Sequence, residues 1–87
     1  MLTVLGDQNI QEDFIREQLN TKVEPLFIYK NNSPTIVKRR FLEGYHLQKL
    51  FEVYEFNDAD LDAGQSDELC KHLSKELPNF DVVIVVD

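Results

Sequence analysis

Apolar and polar positions along this chain fall into blocks whose period changes from block to block. Leu2-Thr3-Val4-Leu5 is a short apolar run closed by Gly6-Asp7, the pattern of a strand ending in a strand-to-helix turn. Ile10, Phe14, Ile15 and Leu19 then share one face at helical spacing, with Asn9 as the expected cap and Glu12 in capping-box position. Asn20-Thr21 ends this helix. Val23 to Tyr29 reads as a second strand whose Pro25 predicts an edge position or a late start, and Lys30-Asn31-Asn32-Ser33-Pro34 reads as a turn.

Two runs rich in β-branched and aromatic residues follow, Thr35 to Leu42 and Lys49 to Phe56, joined by Glu43-Gly44-Tyr45-His46. The short glycine-containing connection predicts an antiparallel hairpin. Phe51 and Val53 fall on one side of its second strand and Leu50, Tyr54 and Phe56 on the other, which predicts partial cover on both faces. Asn57-Asp58-Ala59-Asp60 breaks the pattern. Ser66 is the expected start of a second helix, with Asp67 and Glu68 in its first turn, an apolar stripe of Leu69, Cys70, Leu73 and Leu77, and Pro78 as its stop.

The chain closes on Asp81-Val82-Val83-Ile84-Val85-Val86-Asp87, five β-branched residues between two aspartates. An uninterrupted run of this kind predicts a central parallel strand buried on both faces. The order β-α-β-β-β-α-β makes this an α/β chain, a mainly parallel sheet with an antiparallel hairpin insert, expected to form a single segment over residues 1–87. In open α/β folds the ligand crevice lies beyond the carboxyl ends of the parallel strands, which places Asp87 at the threshold of a site. The expectation is therefore a part of a larger α/β protein, with sheet surfaces that invite self-association.

Composition narrows the functional classes. Eighty-seven residues with 43% hydrophobic content support one modest core. A net charge of −7 and a pI near 4.7 argue against nonspecific binding to nucleic acid or anionic membranes. Cys70 is the single cysteine, so no internal disulfide forms, and a reduced, cytoplasmic setting is the default expectation. No signal-peptide pattern opens the chain, and no segment approaches the roughly 20 apolar residues of a membrane span. The three glycines, Gly6, Gly44 and Gly64, are isolated, so no glycine-rich phosphate loop is predicted.

Three stretches carry a resemblance: Ser33-Pro34-Thr35-Ile36-Val37-Lys38-Arg39-Arg40-Phe41, Gln48-Lys49-Leu50-Phe51-Glu52-Val53-Tyr54, and Asp81 to Asp87. Together with Thr3-Val4-Leu5-Gly6-Asp7, they resemble the interior of a PfkB/ribokinase-type sugar kinase, nearest to the kinase half of the heptose 7-phosphate kinases. These are also called ADP-heptose synthases, in which a nucleotidyltransferase domain is often fused. The resemblance implies a ribokinase-like fold and a parent that transfers phosphate from ATP, with Mg2+, to a sugar phosphate. It also implies the remainder of that kinase as a partner. The family's glycine-rich substrate segment and its Gly-Ala-Gly-Asp-type motif, which carries the catalytic base, are not in this chain. No catalytic residue is therefore assigned, no cofactor is expected to be held by these 87 residues alone, and the chain by itself is expected to be inactive.

The resemblance implies substrate contact for Lys38 and Arg40, which occupy the family's Lys-x-Arg positions. Two apart on a strand, they share a face suited to a sugar phosphate, while Arg39 points the other way; the same charges equally suit a solvated, blunted strand edge. Asp87 is the third candidate substrate contact, able to order a hydroxyl or a metal-bound water, or else a plain strand-end aspartate. Asp7 is ambiguous in the same way. Asp58, Asp60 and Asp62 have the alternate spacing of a calcium loop, but Ala63 and Leu69 stand where such a loop needs glycine and glutamate, so no metal site is assigned. His46 and His72 are isolated, and Cys70 reads as a buried structural thiol. The second functional class is a self-contained noncatalytic α/β module that self-associates and binds a partner.

Overall fold

The computed structural model describes residues 1–86 as an α/β chain with two helices and two small sheets. The elements are β1 (Leu2–Gln8), α1 (Glu12–Gln18), β2 (Leu26–Pro34), β3 (Val37–Leu42), β4 (Lys49–Glu55) and α2 (Ala63–Glu76), with a 3-10 turn at Leu77–Asn79. β1 and β2 pair in parallel from Leu2 opposite Leu26 to Gly6 opposite Lys30. The helix α1 makes the crossover that a parallel pair requires. Pro25 lies just before the first paired residue of β2, in keeping with the late start its missing N–H predicts.

β2 does not end at Tyr29, and the predicted turn at Lys30–Pro34 is instead part of the strand. The register shows how: from Gly6 opposite Lys30 to Gln8 opposite Pro34, β2 takes four steps while β1 takes two. The surplus is accommodated by a left-handed residue, Asn32 (φ 52°), and by Asp7, whose carboxylate accepts from the backbone N–H of Asn32 at 3.0 Å and of Ser33 at 3.1 Å. Opposite this bulge, Gly6 is pressed against backbone. A Cβ there would stand 2.1 Å from the Ser33 carbonyl oxygen and 2.4 Å from the Thr35 nitrogen. The Gly6 N–H donates to Thr35 Oγ1 at 3.0 Å, and that hydroxyl donates to the Ile10 carbonyl at 2.7 Å. One threonine thus ties the end of β1, the approach to α1 and the root of the hairpin.

The helices attach to this pair through few contacts. α1 is two turns long and opens on Gln11 in a left-handed conformation (φ 60°) with no side-chain cap. Asn9 does not cap it, because its side chain accepts from Gln11 Nε2. Glu12 holds α1 to the sheet instead, accepting from the Tyr29 hydroxyl and pairing with Arg16, whose guanidinium lies 4.8 Å from the Phe27 ring centre. α2 begins three residues before Ser66, capped by Asp62, whose carboxylate accepts from the Gln65 N–H at 2.8 Å while Gln65 Oε1 accepts from the Asp62 N–H at 3.3 Å. The buried Gln65 amide also donates to the Tyr29 carbonyl at 2.9 Å and so locks α2 to β2. A capping box outcompetes a lone serine because it satisfies two orphan N–H groups at once.

The buried centre is small and half polar. Leu5 and Ile28 are its apolar members, 4% and 1% exposed, beside buried Ser33, Thr35 and Gln65. Every buried side-chain nitrogen or oxygen among the described residues has a partner, as a low-dielectric site demands. Cys70 is exposed rather than buried, because the α2 stripe meets little of the sheet. The radius of gyration, 15.7 Å, exceeds the roughly 12 Å expected of a compact domain of this length.

β3 and β4 form the predicted antiparallel hairpin, paired from Val37 opposite Glu55 to Leu42 opposite Lys49. They make a separate sheet rather than an insert in the first one, and both faces are open: Phe41, Phe51, Val53 and Tyr54 are all exposed, not half-covered as their pattern predicts. The terminal run is the larger difference. Asp81–Val86 forms no strand, no backbone hydrogen bond among the described residues reaches it, and Val82 to Val86 are 51–91% exposed. The mainly parallel sheet therefore consists, among the described residues, of one parallel pair.

Because the Cβ at position 6 has only backbone to displace, Gly6→Ala is expected to lower stability by at least ~2 kcal/mol, the upper range of overpacking costs. Urea unfolding followed by circular dichroism measures this, and a midpoint equal to that of the parent chain would show that the Gly6 contact is not formed.

Candidate functional site

The charged face of the hairpin is assembled by register. Lys38 lies opposite Tyr54 and Arg40 opposite Glu52, so the two basic residues share a face with an aromatic ring and a carboxylate. The Lys38 ammonium stands 5.4 Å from the centre of the Tyr54 ring. Arg40 Nε donates to Glu52 Oε1 at 2.6 Å, the Tyr54 hydroxyl donates to Glu52 Oε2, and Lys49 Nζ lies 3.5 Å from Oε1. Arg39 points to the other face and pairs loosely with Glu55 at 3.8 Å.

Glu52 organises this group. Its side chain is 14% exposed, against 65% for Arg40, so the carboxylate sits under the basic groups and leaves most of the guanidinium fork open to solvent. The Tyr54 hydroxyl first, and then Arg40, hold the Glu52 carboxyl down at about 2, while the carboxylate pushes the Tyr54 phenol above its ordinary value. Three cations around one anion leave a net positive face on a chain that is otherwise strongly acidic. Neither Glu52 nor Tyr54 stands out in the linear sequence. Only a fixed hairpin register brings them under Lys38 and Arg40, although the equal distances of both pairs from the turn carry that signal.

A second cluster lies at the carboxyl ends of β1 and β2, where an α/β fold places its ligands. A cavity of about 280 Å3 is lined there by Gly6, Lys30, Ser33, Asn57, Asp60 and neighbouring apolar residues. Its polar groups are engaged with one another. Lys30 Nζ donates to the carbonyls of Asn57, at 2.8 Å, and Ala59; Asn57 Nδ2 donates to Ser33 Oγ at 2.9 Å. Asp7 caps the β2 bulge, and the Asn32 N–H, then the Ser33 N–H, hold its carboxyl below the usual range. This cluster fastens both legs of the hairpin to the body and is structural.

The other candidates are dispersed. Asp62 caps α2 while Asp58 and Asp60 are exposed, and no group of three His, Cys, Asp or Glu side chains suited to a metal occurs among the described residues. His46 is exposed in the hairpin turn, and His72 Nε2 lies 3.9 Å from Glu68 one helical turn earlier. Asp87 lies outside the described residues. The glycines do not fit a nucleotide: Gly6 is packed against backbone, Gly44 sits in the hairpin turn and Gly64 lies inside α2. No helix among the described residues is long and apolar enough to cross a membrane.

No protein-family model, no curated protein and no solved structure matches the chain.

Glu52 has a folded value near 2 and an ordinary value of 4.5, so its contribution to hairpin stability is complete above about 4.5 and is lost as pH falls towards 2. Cross-strand contacts between Phe41 and Phe51, followed by NMR from pH 6 to 2, are expected to weaken in that window. Glu52→Gln should remove that step and return the Tyr54 phenol towards its ordinary value. An identical acid profile in the variant would show that the Glu52 network does not hold the hairpin.

Proposed function

We propose that this chain is a noncatalytic segment of a carbohydrate kinase core of the PfkB/ribokinase type, and that its hairpin contributes a phosphate contact to a sugar phosphate of the heptose 7-phosphate class. The observation that supports this most is the basic face on which Lys38 and Arg40 stand together, oriented from below by Glu52 and Tyr54. An arginine whose Nε is already engaged keeps its terminal N–H groups in a fixed plane, which suits an anion held from one side. The charged face projects on a ladder whose legs are fastened by Lys30, Asn57 and Thr35, so the arm is anchored where it leaves the body.

On this reading the hairpin is an arm that leaves a ribokinase-like core as its own two-stranded sheet, the remainder of the kinase is the chain's partner, and ATP with Mg2+ binds to that remainder. A second reading, a self-associating noncatalytic module, is favoured by one specific observation: the exposed apolar run Val82–Val86 beside an open sheet edge.

Titration of the 15N-labelled chain with a heptose 7-phosphate, with inorganic phosphate as control, is expected to shift the amides of Lys38 and Arg40 in a saturable way. Lys38→Ala combined with Arg40→Ala should abolish the shift. Shifts that avoid the hairpin, or that survive in the double variant, would overturn the phosphate contact. A phosphotransfer assay on the chain alone should read background, and turnover above background would overturn its noncatalytic status.

A further inference from the structure

β1 has one paired edge and one open edge. In a parallel ladder alternate residues turn their N–H and C=O groups to opposite sides, so the edge facing away from β2 carries a row of unpaired backbone groups, and among the described residues no strand meets it. Beside its start lies a groove of about 360 Å3, walled by Leu2, by Leu69 and Leu73 of α2, by Leu77 of the 3-10 turn, and by Phe80. The run Val82–Val86 of the same chain also lines this groove. It is fully apolar, extended in propensity, exposed and, among the described residues, without a backbone partner.

We propose that this groove and the β1 edge dock the Val82–Val86 segment of a second copy of this chain, by reciprocal strand exchange. The occupant follows from the walls. An open ladder edge selects an extended strand over a helix or a small molecule, and the apolar floor selects β-branched side chains over polar ones. The chain carries a segment of that chemistry with no ladder partner of its own, although it lies within reach of its own Leu2. Exchange about a two-fold axis pairs both open β1 edges and engages both apolar segments in one closed contact rather than an open-ended filament. Reciprocity also supplies area: stable interfaces bury roughly 800 Å2 per partner. A single five-residue strand falls short of that, whereas exchange adds the second strand and both α2 grooves to the same contact. The acidic character of the chain opposes association, so the contact should tighten as salt rises, the reverse of an ion-paired interface. The proposal does not depend on the kinase reading, because it uses neither Lys38 nor Arg40.

Size-exclusion chromatography with light scattering on the 87-residue chain tests it. A dimer is expected, with Val83→Lys combined with Val85→Lys weakening it about tenfold or more while far-ultraviolet circular dichroism is retained. Mixed dimers of 13C-labelled and unlabelled chain should show contacts between Val82–Val86 methyl groups and Leu2 or Leu73 that cross between chains. A monomer whose tail pairs with its own β1 would overturn the proposal. So would a dimer that the two lysines leave intact, since its interface would lie elsewhere, as on the open hairpin.

Discussion

Gly6 lies so close to the Ser33–Thr35 backbone that no side chain fits between them, and the organisation of the molecule follows from that approach. It forces the end of β1 against the bulge of β2 and turns the Gly6 N–H onto Thr35. Thr35 in turn fixes the carbonyl of Ile10 before α1 and the point where the hairpin departs. With only Leu5 and Ile28 as buried apolar side chains among the described residues, hydrophobic burial alone cannot specify this arrangement, and the polar lock around Ser33, Thr35, Asn57 and Gln65 supplies the specificity.

The hairpin shows what such a lock leaves open. It is anchored at its root but otherwise rests on its own ladder, and a two-stranded ladder in water is marginal. Stacked Phe41 and Phe51, with ring centres 4.4 Å apart, support one face, and the Glu52 network supports the other. The groups that orient Lys38 and Arg40 are thus the same groups that hold the two strands in register. The orientation of the basic groups and the stability of the hairpin are coupled on that face through one carboxylate.

The open edge of β1 and the exposed run Val82–Val86 have the same physical origin. A parallel ladder needs a neighbour on both sides to be dry, and these residues supply only one pair. The demand at that open edge is for an extended apolar strand.

Local periodicity determined much of this structure. The alternating runs defined the hairpin to within two residues at each end, Pro25 set the late start of β2, and Pro78 the end of α2. Lys38 and Arg40 were legible as a pair because the two-residue period of a strand puts them on one face. Tertiary structure decided what depends on residues far apart in the chain. Asp7 reaches across to hold Asn32 and Ser33, which turns an apparent loop into strand; Gln65 completes a cap with Asp62 and reaches Tyr29, which moves the start of α2. Glu52 and Tyr54 gained their role only through cross-strand register. The terminal valines specify a strand by propensity, but a ladder also requires a partner edge, and the position of that edge is not a local property of the sequence.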